Sequence, residues 1–275
     1  MCQLKSCLVL KDRVFCPGYD SHQQMLERLG IEDNYLHASK TFVRVELLPP
    51  NTNTRSLREP LDRWTLRVDQ DIVPEWWDVD ADRQRVEEAV EAWRVGHVFT
   101  EGKHIVTAGE VYAFGKTTVE ISSNAKVKAY DNATVIARSN ATVEAHDSAM
   151  VDACGRATVI AYNSAAVRAC DSAKVIACGN ATVEVYNNVT AEAYDNAAVK
   201  AYDDATVEAY GVAKVEIYNN VTAEAYDNAK VSAYDSTRVK TWSYAAIKAY
   251  DNAIAIYPQQ KKAIYPIGWT IETHE

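Results

Sequence analysis

The chain has 275 residues, 48% of them apolar, with a formal net charge of −9 and a sequence pI near 5.3. That much apolar content excludes a disordered polymer, and the acidic balance argues against binding nucleic acid directly through a broad basic face. No stretch approaches the roughly 20 apolar residues of a membrane span, and the first apolar run is broken at once by Lys11, Asp12 and Arg13, a poor signal peptide.

Residues 1–100 read as a small α+β domain with no repeat. The string CLVLKDRVFC (Cys7–Cys16) suits a strand or hairpin. Ser21-His22-Gln23-Gln24 offers a helix cap ahead of Met25, Leu26 and Leu29, and Gly30 can end that helix. FVRVELL (Phe42–Leu48) alternates as a strand and stops at Pro49-Pro50, and WTLRVDQD begins another strand. Asp82 then precedes a helix with Val86, Ala89, Val90 and Trp93 on one face.

Between the last strand and this helix, Asp69, Asp71, Glu75 and Asp78 stand beside Trp76 and Trp77. Aromatic residues are frequent anchors of protein interfaces, so these six residues form the candidate binding site. The plain alternative is an acidic loop entering a helix N-terminus, where negative charge is favoured. No histidine or nucleophile is patterned with the acids, so no catalytic residue is assigned and an enzyme is not expected. Cys2, Cys7, Cys16 and His22 lack the CxxC or HxxxH spacing of a zinc site, so neither metal nor cofactor is expected.

Residues 101–116 (HIVTAGEVYAFG and its flanks) read as a transition and N-terminal cap. From 117 to 256 the sequence repeats every eight residues on the consensus A-T-V-E-A-Y-D-N, without insertion or deletion. Apolar residues alternate within each unit, as in Ala125, Val127 and Ala129, which is the period of a strand. The following D-N, D-S, G-N or N-N pair is turn chemistry. Each octad is therefore a short strand plus a corner, and the array predicts a parallel β-solenoid (β-helix).

The small Ala-Val-Ala core favours a flat form with two octads per coil; a triangular coil of three is the rival. Val185-Tyr-Asn-Asn-Val189-Thr-Ala191 returns 32 residues later as Ile217-Tyr-Asn-Asn-Val221-Thr-Ala223, two coils of sixteen. Against this, Cys154-Gly155 and Cys178-Gly179 lie 24 apart. Tyrosines at the third outward position should stack into ladders, and one face of a two-sided form would carry Asp152, Arg168, Glu184, Lys200 and Glu216 in succession. Cys154, Cys170 and Cys178 occupy the usual Tyr position and read as tolerated substitutions; with no cysteine framework, a reducing cytoplasm is expected. Residues 257–275, with Ile264, Ile267, Trp269 and Ile271, read as the C-terminal cap.

Octads such as NATVEAYDNA resemble those of uncharacterised β-solenoid proteins encoded by bacterial prophages and mobile elements. The resemblance covers about the second half of the chain and implies the fold, with no activity or functional residues attached. The function expected is non-catalytic binding of a protein partner, as a phage or mobile-element accessory protein directed at a host factor or a defence system. A structural spike or spacer and a β-helical hydrolase are the alternatives, the latter weakened because no loop interrupts the coils to build a site.

Overall fold

The computed structural model describes residues 5–51, 53–258 and 270–271, the last pair as backbone. The chain divides into two units, residues 1–98 and 99–275.

The first unit is built on an antiparallel sheet of order β2-β1-β3-β4, comprising β1 (Lys5–Leu10), β2 (Val14–Phe15), β3 (Phe42–Leu48) and β4 (Thr65–Val68). Strand alternation sends Leu8, Leu10 and Phe42 to one face, where Met25 and Leu26 of helix α1 (His22–Leu29) complete a core cluster. Ser21 caps α1 by accepting from the Gln24 N–H at 3.3 Å, and Gly30 ends it at φ 66°, where a side chain would be strained. A short helix α2 (Tyr35–Ala38), capped by Asn34, precedes β3. Helix α3 (Val79–His97) packs against β1 and β2 with Val86 and Val90 fully buried.

The observed start of α3 differs from the sequence expectation. Asp78, not Asp82, is the cap: its carboxylate accepts from the N–H groups of Asp80 and Ala81 at 3.0 and 3.1 Å. Asp82 lies inside the first turn, 5% exposed, and accepts from the Asp78 N–H at 3.2 Å. The helix gains a turn because the Asp78 carboxylate satisfies two of its otherwise unpaired N–H groups, while Asp82 closes back on the cap N–H.

The second unit is a parallel β-solenoid of about ten turns with two octads per coil. Strands from Lys103–Val106 to Ala246–Ala249 form one sheet, and those from Glu110–Ala113 to Ile254–Ile256 form the other. Across the array each residue pairs with the one sixteen positions on, as Val119 with Val135 and Val127 with Val143. The rival coil of twenty-four is thereby excluded. Segments 103–106 and 110–113, read from sequence as a cap, pair in register with Thr118–Ile121 and Lys126–Ala129 and so make the first coil. At the far end Thr270–Ile271 pairs antiparallel with Lys248 and Ile247; the rest of the expected C-terminal cap, including Ile264, Ile267 and Trp269, lies outside the described residues.

The thin core follows from the sequence pattern. Ala125, Val127 and Ala129, and their equivalents in later octads, are buried between the sheets. Where the central residue shrinks to Ala191 or Ala223, the neighbouring Val185 and Val189, or Ile217 and Val221, fill the space and are fully buried. Every corner places one residue at positive φ, as at Asp131 (60°), Asp195 (57°) and Asp235 (58°). The Asp carboxylate there accepts from the backbone N–H one coil earlier, as Asp195 does from Gly179 at 3.1 Å and Asp235 from Asn219 at 2.9 Å. Corner N–H groups that no strand can reach are thus satisfied by the next coil.

Aromatic ladders run along both edges. Tyr186, Tyr202, Tyr218, Tyr234 and Tyr250 stack at 4.8–5.1 Å along one, and Tyr194, Tyr210 and Tyr226 at 4.8–4.9 Å along the other. Several hydroxyls donate to the Glu two residues earlier, as Tyr226 does to Glu224 at 2.6 Å. That bond pushes the Tyr226 phenol up to about 12 and, with Lys240, holds Glu224 below its ordinary value.

The cysteines require a correction. Cys154 and Cys170 are joined by a disulfide with a Cα–Cα distance of 4.8 Å and are not unpaired substitutions. A sixteen-residue coil stacks 154 directly on 170 and places Cys178 on the opposite edge. The pair removes the cysteine-based reason for expecting a reducing compartment.

Candidate functional site

In the first unit the segment after β4 folds back over the start of β3. Asp69 donates its N–H to the Arg44 carbonyl at 2.9 Å. The Gln70 side chain then ties the segment down, accepting from the Arg44 N–H at 2.8 Å and donating to the Phe42 and Ile72 carbonyls at 3.1 and 2.7 Å. A depression of about 620 Å³ results, lined in part by Asp33, Tyr35, Arg44, Asp69, Asp71 and Ile72.

Three carboxylates, from Asp33, Asp69 and Asp71, meet here with one cation, Arg44, which pairs with Asp33. Asp69 is also held by His22, whose Nδ1 lies 3.2 Å from its carboxylate while Nε2 lies 3.1 Å from the Val45 carbonyl. Tyr35 is 73% exposed at the depression, and its neighbour Leu36 is 58% exposed. A wet acidic hollow beside a projecting aromatic ring and an aliphatic side chain offers charge and apolar anchorage together.

The six residues predicted from sequence separate. Asp69 and Asp71 line the depression. Trp76 is half-buried and donates from Nε1 to the Lys40 carbonyl at 2.8 Å, fastening the loop to the turn before β3. Trp77 is also half-buried, Glu75 is exposed, and neither lines the hollow. Asp78 is occupied as the cap of α3. Asp33, Tyr35, Arg44 and His22 were missed. Asn34 ahead of Tyr-Leu-His was the available signal for α2, and the β3–β4 pairing, once drawn, brings Asp69 beside Arg44.

Two donor clusters have metal-like spacing among the described residues. His22, Glu46 and Asp69 lie close together, but Glu46 pairs with Arg67, and the two ring nitrogens of His22 already contact Asp69 and the Val45 carbonyl, so each side chain has a partner within the protein. Cys154, Cys170 and Asp171 form the other, where the disulfide removes both thiolates and Asp171 accepts from the Gly155 N–H at 2.9 Å.

The solenoid offers a second surface. On one sheet a shallow groove of about 660 Å³ runs beside Met150, Ala166 and Ala198, whose small or flexible side chains leave the sheet uncovered. Asp152, Arg168, Glu184, Lys200 and Glu216 follow one another along it in register, as the two-sided coil requires. Their signs alternate, and ion pairs form at 3.7 Å between Arg168 and Glu184 and at 3.1 Å between Lys200 and Glu216. With Lys214 also lining the groove, its three acids meet three cations, unlike the hollow in the first unit. Among the described residues, no helix is long and apolar enough to cross a membrane. Comparison with protein-family models, with curated proteins and with solved structures finds no match.

Proposed function

We propose that this is a non-catalytic interaction protein whose first unit binds a basic segment of another protein, with the solenoid as scaffold and second contact surface. The observation that carries the reading is the unbalanced hollow: Asp33, Asp69 and Asp71 around a single arginine, with Tyr35 projecting at 73% exposure. Lysine or arginine side chains would supply the missing charge, and an adjacent apolar residue would cover Tyr35 and Leu36. Repetition supports the division of labour, because a feature of the solenoid recurs along the array while the hollow occurs once. An accessory role in a prophage or mobile element, suggested by the octads, belongs to the same proposal.

The test is fluorescence anisotropy with a labelled peptide of alternating arginine and leucine. Binding should weaken as salt rises, because exposed charges carry the attraction. It should fall at least about tenfold in a Tyr35→Ala/Asp69→Asn/Asp71→Asn variant with an unchanged melting temperature. Equal affinity of the variant and the parent would overturn the assignment.

A further inference from the structure

Cys7 and Cys16 are separated by the hairpin of β1 and β2, and the register brings them together. Leu8 pairs with Phe15 and Val9 with Val14, so the next pair outward is Cys7 with Cys16. The Leu10 N–H donates to the Arg13 carbonyl at 2.8 Å, which makes that pair hydrogen-bonded. Alternation along an antiparallel ladder then makes Cys7 and Cys16 a non-hydrogen-bonded pair, the class whose Cα atoms lie about 4.5 Å apart, within disulfide reach. Pro17 follows, and its lack of an N–H ends the ladder there. As directly opposed residues of the hairpin, the two side chains lie on the same face of the sheet.

Their surroundings are unequal. Cys7 is fully buried, whereas Cys16 is half-buried at the end of the hairpin. Lys5, on the same face of β1 as Cys7, is 1% exposed, with its Nζ 2.6 Å from Asp20 and 4.8 Å from the centre of the Trp93 ring. The neighbouring Cys7 thiol and the Lys5 charge hold the Cys16 thiol below its ordinary value, while the Cys16 thiol and burial push Cys7 well above it. Cys178, a half-buried free thiol of the second unit, is pushed up by burial and by Asp195 and Glu192.

We propose that Cys16 and Cys7 form a thiol–disulfide exchange site whose substrate is a low-molecular-weight disulfide. The Cys16 thiolate attacks one sulfur of the small disulfide, forming a protein–small-molecule mixed disulfide and releasing one small thiolate. Cys7 then loses its proton to solvent and attacks the Cys16 sulfur, closing the Cys7–Cys16 disulfide and releasing the second small thiol. The protein dithiol gives up two electrons and two protons, and the small disulfide is reduced to two thiols. The product staples β1 to β2 beside the only buried lysine among the described residues.

The test uses the full chain, first with iodoacetamide under limiting conditions and then with oxidised glutathione, followed by peptide mapping. Cys16 should alkylate at least about tenfold faster than Cys178, which serves as the internal reference. Oxidised glutathione should convert Cys7 and Cys16 together into one linked peptide pair, and in Cys7→Ser should leave a lasting mixed disulfide on Cys16. Equal alkylation rates for Cys16 and Cys178, or glutathione on Cys16 that Cys7 never displaces in the parent protein, would overturn the proposal. The rate comparison needs no variant and stands even where Cys7→Ser fails to fold.

Discussion

Val143 and Val45 are both fully buried valines in the middle of a strand, yet they are specified in different ways. Val143 stands in register between Val127 and Val159, each its own copy one coil away. Val45 lies between Cys7 and Val68, residues with no sequence relation to it. In the solenoid, one octad and a step of sixteen place every side chain. In the first unit each contact is separate, and several are polar groups that a helix or loop must satisfy individually. A repeated surface offers extended, self-compensated contact; a unique assembly leaves room for an uncompensated site such as the hollow at Asp69 and Asp71.

The largest expected effect breaks the repeat. Val143→Asp places an unpaired carboxylate between tightly packed sheets and should cost more than about 4 kcal/mol in denaturant unfolding, or abolish folding. A loss under about 1 kcal/mol would mean that the two-sheet core is wrongly assigned. Next is the polar centre of the first unit. Asp20→Ala leaves the Lys5 ammonium, 1% exposed, without its carboxylate and should cost about 2 kcal/mol, less than a fully buried pair because Asp20 is 45% exposed. Lys5→Met in the same chain should restore most of that loss, since an apolar side chain needs no partner there.

A smaller effect has the opposite sign. Thr237 stands where the octad has Ala, and its buried hydroxyl has no hydrogen-bond partner among the described residues. Thr237→Ala should therefore stabilise the array by about 1 kcal/mol, visible as a raised melting temperature. The smallest is Glu144→Lys, an outward position on the sheet opposite the groove, which exchanges a weak contact with Lys128 at 3.8 Å for mild repulsion and should cost no more than about 0.5 kcal/mol. A large loss there would show that the outward row is part of the fold's stability and not a solvated surface.

The contrast also explains what could be read from sequence. The coil of sixteen was legible because Val185-Tyr-Asn-Asn-Val189 returns 32 residues later as Ile217-Tyr-Asn-Asn-Val221 with compensating volumes. The Cys154–Cys170 disulfide was legible in principle, since the same step stacks the two, but the Tyr-position pattern hid it. Strand Phe42–Leu48 and the Ser21 cap were read correctly from local chemistry. The hollow was not, because it depends on the Gln70 side chain bonding back to Phe42 and Arg44, a tertiary choice with no periodic signature. Trp76 and Asp78 drew attention as interface residues, yet the first fastens a turn and the second caps a helix.

The claim that the unique unit binds and the repeated unit supports is tested most directly with a partner captured by the intact chain. Its affinity is then measured for three full-length proteins of equal melting temperature: the parent, Tyr35→Ala/Asp69→Asn/Asp71→Asn, and Arg168→Ala/Lys200→Ala. Loss of at least about tenfold in the first variant, with the second within about twofold of the parent, is the predicted result. Unchanged binding in the first variant and loss in the second would place the site on the solenoid groove and contradict it.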